Sequence, residues 1–186
     1  SLEWREVIRK ELGIIEDTFV VGHVGRFSKQ KNHMFLLEIF SQICIRKNNA
    51  MLLLIGQGEL KKEIVQCAKK LGIDKKIIFT GIRKDIPQLL SAMDILVFPS
   101  LYEGMPNTVI EAQATGLPCI IADTITKEAD ITGLVKYESL NKSATEWAKE
   151  AMEIAKKPRI NTKEKFIHAG YDIESVTKEF EQMIFE

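Results

Sequence analysis

Apolar residues along the chain fall into two alternating kinds of run. Phe19 to Val24, Met51 to Ile55, Ile77 to Thr80, Ile95 to Phe98 and Pro118 to Ala122 are apolar through most of their length. That pattern suits strands buried on both faces of a parallel sheet. Between them apolar positions recur at helical spacing: Phe35, Leu36, Ile39, Phe40 and Ile43; then Leu60, Ile64, Cys67, Ala68 and Leu71; then Ile86, Leu89, Leu90 and Met93. Strand and helix alternate, which predicts an α/β fold with a doubly wound parallel sheet. Asn32 is placed to cap the first of these helices and Gly72 to end the second. After Ala122 the pattern loosens. A short strand is expected at Leu134 to Tyr137, and two closing helices at about 143–157 and 173–185, separated by the Pro158 region.

Composition narrows the partners. With 186 residues, 45% of them hydrophobic, the chain can bury one core and is read as a single domain over 1–186. Lys plus Arg and Asp plus Glu number 26 each, so no long-range field draws the protein to nucleic acid or an anionic membrane. Any bound anion must be held locally. Cys44, Cys67 and Cys119 are far apart, odd in number and set in apolar stretches, which reads as free thiols in a reducing cytoplasm. The apolar runs are too short to span a bilayer and the N-terminus has no signal-peptide core. A soluble, cytoplasmic domain is expected. Ser1 opens the chain without a methionine, which reads as a fragment of a longer protein.

In an open α/β sheet, ligands bind beyond the carboxyl ends of the strands, where helix N-termini offer N–H groups to anions. The first strand-to-helix loop, Gly25 to Lys31, carries Arg26, Lys29 and Lys31 and is either a phosphate site or a solvated basic loop. It lacks the GK[ST] ending of a P-loop. In the second loop Gly56 and Gly58 open a helix, but Lys61 stands where a dinucleotide motif has its third glycine, which favours a plain tight turn. The fourth strand runs into Pro99 to Asn107, and Glu103 and Glu111 flank a helix start. Either carboxylate can be purely structural, because Ser100 with Glu103 and Thr108 with Glu111 both match a capping box.

Together these loops resemble the retaining glycosyltransferases of family 4, whose GT-B fold sets two Rossmann-like domains across a cleft. The match is to the C-terminal, donor-binding domain and covers almost the whole chain. It is carried by VGRFSKQKN (Val24 to Asn32), LLLIGQGEL (Leu52 to Leu60), the run Phe79 to Asp123 and GLV (Gly133 to Val135). Within that run, Glu103 and Glu111 with seven residues between them, followed by Ala112, Gly116 and Pro118, form the most specific element.

The resemblance implies roles. Arg26 and Lys31, beside Gly25, would contact the donor diphosphate and, as a cationic surface loop, contribute little to folding. Glu103 would accept bonds from sugar hydroxyls and, with Arg26 and Lys31, make up the catalytic set. Backbone N–H groups at Gly104, Met105 and Asn107 would meet the sugar or β-phosphate. Thr108 would help to hold a phosphate and Glu111 would take the two ribose hydroxyls. Ile82 and Arg83, after the third strand, would lie near the base, or Arg83 is simply a solvated residue. His23 reads as a packed strand histidine and Lys29 as solvent-facing. The donor implied is a nucleotide-diphosphate sugar, and a UDP-sugar is expected because the motifs resemble exopolysaccharide and capsule-building members. The acceptor would be a saccharide or a lipid-linked saccharide in cell-surface polysaccharide synthesis. The N-terminal acceptor domain is absent, any membrane association would come through it, and this domain alone would be inactive. No metal or cofactor is implied. Two rival readings are a dinucleotide-dependent oxidoreductase domain and a non-catalytic nucleotide-sugar-binding module.

Overall fold

A computed structural model describes residues 2–171. Its strands are β1 Phe19–Val24, β2 Ala50–Ile55, β3 Ile77–Gly81, β4 Ile95–Phe98, β5 Cys119–Ala122 and β6 Val135–Glu138. They form one parallel sheet in the order β3-β2-β1-β4-β5-β6. The helices are α1 Leu2–Glu11, α2 His33–Arg46, α3 Lys61–Lys70, α4 Ile86–Ala92, α5 Asn107–Ala114, α6 Ala144–Ile154 and α7 Lys163–His168. The continuous apolar runs are the central strands. Leu52, Leu53, Leu54 and every residue of β4 are buried, as a sheet covered on both faces requires. Gly22 in β1 makes room for this packing, since a Cβ there would sit 1.9 Å from Met93 Sδ.

Helix α1 carries Trp4 and Ile8, with Leu12 just beyond it, at helical spacing, and two of its other inward positions are arginines. Arg5 and Arg9 reach Asp94 at 2.6 and 3.0 Å, and donate to Met93 O at 2.9 Å and Ala92 O at 3.0 Å. From the other side Arg159 donates to Leu90 O and Met93 O, both at 2.7 Å. Three guanidiniums therefore take up the last carbonyls of α4, which lack intrahelical donors. Burial, then repulsion from Arg5, lowers the Arg159 pKa to about 10.

Gly72, at φ +69°, turns the chain away from α3 as anticipated. Asn32 does not cap α2. It is left-handed at φ 55° and makes no capping bond, because its side-chain amide donates instead to Pro99 O at 3.1 Å. Helix α6 starts in a capping box, with Glu146 N bonded to Ser143 Oγ at 3.3 Å and Ser143 N to Glu146 Oε2 at 2.9 Å. The helix anticipated at 173–185 lies outside the described residues. Among those described, no helix is long and apolar enough to cross a membrane.

Candidate functional site

Strand order reverses between β1 and β4, so the loops leaving these two strands diverge and open a crevice at the carboxyl pole. Backbone and side chains tie the loops together across it. Leu101 N donates to Gln30 O at 2.9 Å, Gln30 Nε2 to Tyr102 O at 2.9 Å, and Asn32 Nδ2 to Pro99 O. At the centre Lys31 Nζ meets Glu103 Oε1 at 2.6 Å, with the ammonium also 4.8 Å from the centroid of the Phe98 ring. The lysine and glutamate singled out in separate loops thus form one charge pair, 72 residues apart in sequence.

The two cations of the first loop differ in setting. The Arg26 side chain is 74% exposed and pairs with Glu59 at 3.2 Å, whereas Lys31 is only 18% exposed and its partner Glu103 10%. Arg26 is thus a surface cation, as the expectation of a small folding role assumed, whereas Lys31 is not. A nearly dehydrated carboxylate depends on the cation beside it. Gly25 permits this arrangement, since a Cβ there would come within 3.1 Å of the Lys31 stem. Lys29 is exposed.

Gly56 and Gly58 serve packing. A Cβ on Gly56 would lie 2.2 Å from Gly25 O, and one on Gly58 2.5 Å from Phe27 O. Phe27, fully buried, bonds through its N–H to Gln57 O and through its carbonyl to Leu60 N, each at 3.0 Å. The second loop is a brace for the first, in keeping with the tight-turn reading.

Helix α5 begins at Asn107 behind Pro106, which makes Thr108 its second residue and Glu111 its fifth. A capping box needs the hydroxyl at the N-cap and the carboxylate at the third helical position, so neither Ser100 with Glu103 nor Thr108 with Glu111 forms one. The capping-box alternative for the two glutamates is set aside. At the start of α5 Val109 N and Ile110 N donate to Pro106 O at 2.9 and 3.3 Å, while the N–H groups of Asn107 and Thr108 come too early in the helix for an intrahelical acceptor. Gly104, Met105 and Asn107 are exposed, and Gly104 has open space around its missing Cβ.

Beyond β3, Ile82 is 67% exposed and lines a cavity of about 450 Å³ with Arg26, Gly56, Gln57 and Gly58. Arg83 is turned to Asp85 and Glu11, at 2.6 and 2.8 Å. A cavity of about 540 Å³ lies at the opposite, amino-terminal pole, lined by Arg5, Asp94 and Arg159 among others. The guanidiniums there are engaged with α4, which makes that cavity a by-product of the helix clamp.

Under the first loop, His23 is fully buried as expected, with Nδ1 2.9 Å from Val97 O and its ring stacked on Phe98 at 5.3 Å. His33, at the start of α2, meets it edge-on at 4.7 Å. Burial, and then the charge of Lys31, lowers the His33 pKa to about 4. Burial likewise holds His23 well below the ordinary value, with His33 the next cause. Both are neutral at pH 7.

Several residues of the site were given no site role by the sequence. Gln30 and Asn32 act as staples between loops, Glu59 pairs with Arg26, and Thr124 approaches from β5 with Oγ1 3.4 Å from Ser100 O. Only their positions in the assembled fold reveal them.

Comparison with known proteins agrees with this architecture. The model of the family described as glycosyl transferases group 1 matches residues 5–173. A Bacillus subtilis (strain 168) protein named EpsF, described as a glycosyltransferase, is 39% identical over 164 residues, covering 86% of this chain and 43% of its own length. The Escherichia coli UDP-Gal:alpha-D-GlcNAc-diphosphoundecaprenol alpha-1,3-galactosyltransferase is 38% identical over 118 residues, covering 61% of this chain and 30% of its own. Among solved structures, Anabaena HepE in complex with UDP and glucose superposes with a TM-score of 0.73 at 21% identity, covering 99% of this chain and 52% of its own. The chain thus spans about half or less of each of these proteins, and the HepE likeness shows the fold. With its Rossmann-like sheet, the loops joined at the β1/β4 crevice and a family match over nearly its whole length, the chain belongs to the group 1 glycosyltransferases.

Proposed function

We propose that this chain is the donor-binding domain of a retaining glycosyltransferase that transfers a sugar from a UDP-sugar to a saccharide or lipid-linked acceptor in cell-surface polysaccharide synthesis. The remainder of the protein would supply the acceptor domain and any attachment to a membrane. The observation that carries the reading is the Lys31–Glu103 pair at the topological switch point, where a cation suited to a phosphate stands beside a carboxylate suited to sugar hydroxyls. The similarity to an undecaprenol-linked galactosyltransferase and to a fold solved with UDP supports the substrate class. The three free cysteines support a cytoplasmic location.

In this mechanism the bond between sugar and diphosphate breaks as negative charge grows on the β-phosphate. Arg26 and Lys31 meet that charge, and each lowers the barrier by about 3 kcal/mol, the scale of one preorganised oxyanion donor. Glu103 accepts from sugar hydroxyls, and the N–H groups of Gly104, Met105 and Asn107 with the Thr108 hydroxyl hold the sugar and phosphate at the start of α5. Glu111 accepts one bond from each ribose hydroxyl, since each carboxylate oxygen offers an acceptor. The oxidoreductase alternative fits less well because Gly58 is occupied in packing on Phe27.

Calorimetric titration of the chain with UDP, GDP and ADP tests the binding half. Dissociation constants of about 0.1–1 mM are expected for UDP, since half the cleft lies outside the domain. No heat with any nucleoside diphosphate at millimolar concentration contradicts the reading. Joining the chain to an acceptor domain and finding donor binding without transfer would identify a non-catalytic module.

A further inference from the structure

The turn after β3 is fixed from three sides. Gly81, at φ +73°, bends the chain while its carbonyl accepts from Gly56 N at 2.8 Å. The Arg83 guanidinium then forks onto Asp85, Nε to Oδ1 at 2.7 Å and Nη2 to Oδ2 at 2.6 Å, and gives Nη1 to Glu11 Oε1 at 2.8 Å. A bidentate fork fixes orientation as well as distance. Asp85 makes no side-chain cap for α4, its carboxylate being turned to Arg83. Glu11 ends α1, whose Arg5 and Arg9 hold the far end of α4. Helix α1 therefore grips α4 at its last carbonyls and the 81–85 turn at its arginine.

The turn presents Ile82. This side chain is 67% exposed, which leaves its apolar surface open to contact. It faces the cavity of about 450 Å³ shared with Arg26, Gly56, Gln57 and Gly58. The two glycines leave backbone as the facing wall, so the slot combines one apolar face with peptide groups, the chemistry a planar heterocycle needs.

We propose that Arg83 is a positioning residue and not a donor ligand: clamped by Asp85 and Glu11, it holds Ile82 as the apolar face against which the donor's base packs. The inference rests on the donor-domain reading and adds α1, through Glu11, to the residues that shape nucleotide affinity. It also replaces the direct donor contact assigned to Arg83 from the sequence resemblance.

Titrations of UDP and of inorganic pyrophosphate into the chain separate base from phosphate contacts. The wild-type chain should bind UDP more tightly than pyrophosphate. Arg83→Met should weaken UDP about tenfold, a change of about 1.4 kcal/mol, and leave pyrophosphate within about twofold. Arg83→Lys, which keeps one ion pair, should recover most of the loss, and Ile82→Ser should reproduce it with Arg83 intact. Glu11→Gln should give a smaller selective loss, about threefold. Should Arg83→Met fail to fold, Glu11→Gln and Ile82→Ser still report the ratio. Equal losses of UDP and pyrophosphate would make Arg83 a phosphate ligand, and unchanged UDP affinity in all variants would overturn the clamp. A wild-type chain that binds neither ligand would remove the donor reading and this inference with it.

Discussion

Removing Lys31 should damage stability and binding together, and the structure gives the size. Its ammonium lies 2.6 Å from Glu103 Oε1 with side chains only 18% and 10% exposed. Breaking a buried pair costs about 3–5 kcal/mol and an exposed one about 0–1 kcal/mol, so this nearly buried pair should cost about 2 kcal/mol. For a chain of this size that is a fall of about 4–8 °C in Tm. Lys31→Met, isosteric in its stem, removes the charge and leaves the carboxylate without its cation. Arg26→Ala is the comparison: with its side chain 74% exposed, it should lower Tm by about 0–4 °C, less than Lys31→Met, while still weakening UDP. The double variant Lys31→Met/Glu103→Gln should regain most of the lost stability, because the stranded charge is gone, without regaining UDP affinity. Differential scanning calorimetry on wild type, Lys31→Met, Glu103→Gln and the double variant completes the cycle, with Arg26→Ala run beside them. A Lys31→Met protein melting within about 1 °C of wild type would refute the claim that the pair is desolvated.

Three further outcomes follow from particular contacts. Glu111→Gln should weaken UDP and UDP-sugar alike, by the about 1.5–3 kcal/mol of a charged hydrogen bond, while Glu103→Gln should weaken the sugar nucleotide and spare UDP; titration of both ligands reads the difference. His33, with its pKa lowered to about 4, stays neutral in the folded state while the unfolded chain takes up a proton below about 6.5. Its contribution is thus whole above that pH and lost as pH falls toward 4. Urea denaturation at pH 7 and pH 4.5 should show about 2 kcal/mol more acid loss in wild type than in His33→Leu, and equal losses would contradict a buried neutral His33. Gly58→Ala, whose Cβ would fall 2.5 Å from Phe27 O and 2.7 Å from Phe27 N, should destabilise by about 1–3 kcal/mol and also weaken UDP by displacing the first loop, measured by urea unfolding and by titration.

The sheet was legible because its central strands are covered on both faces, which leaves an unbroken apolar run such as Ile95 to Phe98 in the sequence. The same logic failed for α1. Trp4, Ile8 and Leu12 recur at helical spacing, but the inward Arg5 and Arg9 interrupt the apolar face, and their partners, Asp94 and the α4 carbonyls, lie some 80 to 90 residues away. Asn32 illustrates a local rule overruled by tertiary structure: it has the residue type of a cap, but the carbonyl of Pro99 takes its amide. In the site, the motifs identified the loops and the residue types. They could not show that Lys31 and Glu103 meet, or that Arg83 turns toward α1, since both depend on how distant loops are brought to one pole.

The central claim is that a nucleoside diphosphate binds in the crevice between the β1 and β4 loops. Amide chemical-shift mapping of the isotope-labelled chain during UDP titration tests it directly. The account predicts saturable shifts concentrated at Gly25 to Asn32, Ile82 and Glu103 to Glu111. Shifts confined to the pole of Arg5, Asp94 and Arg159, or none at millimolar UDP, would contradict it.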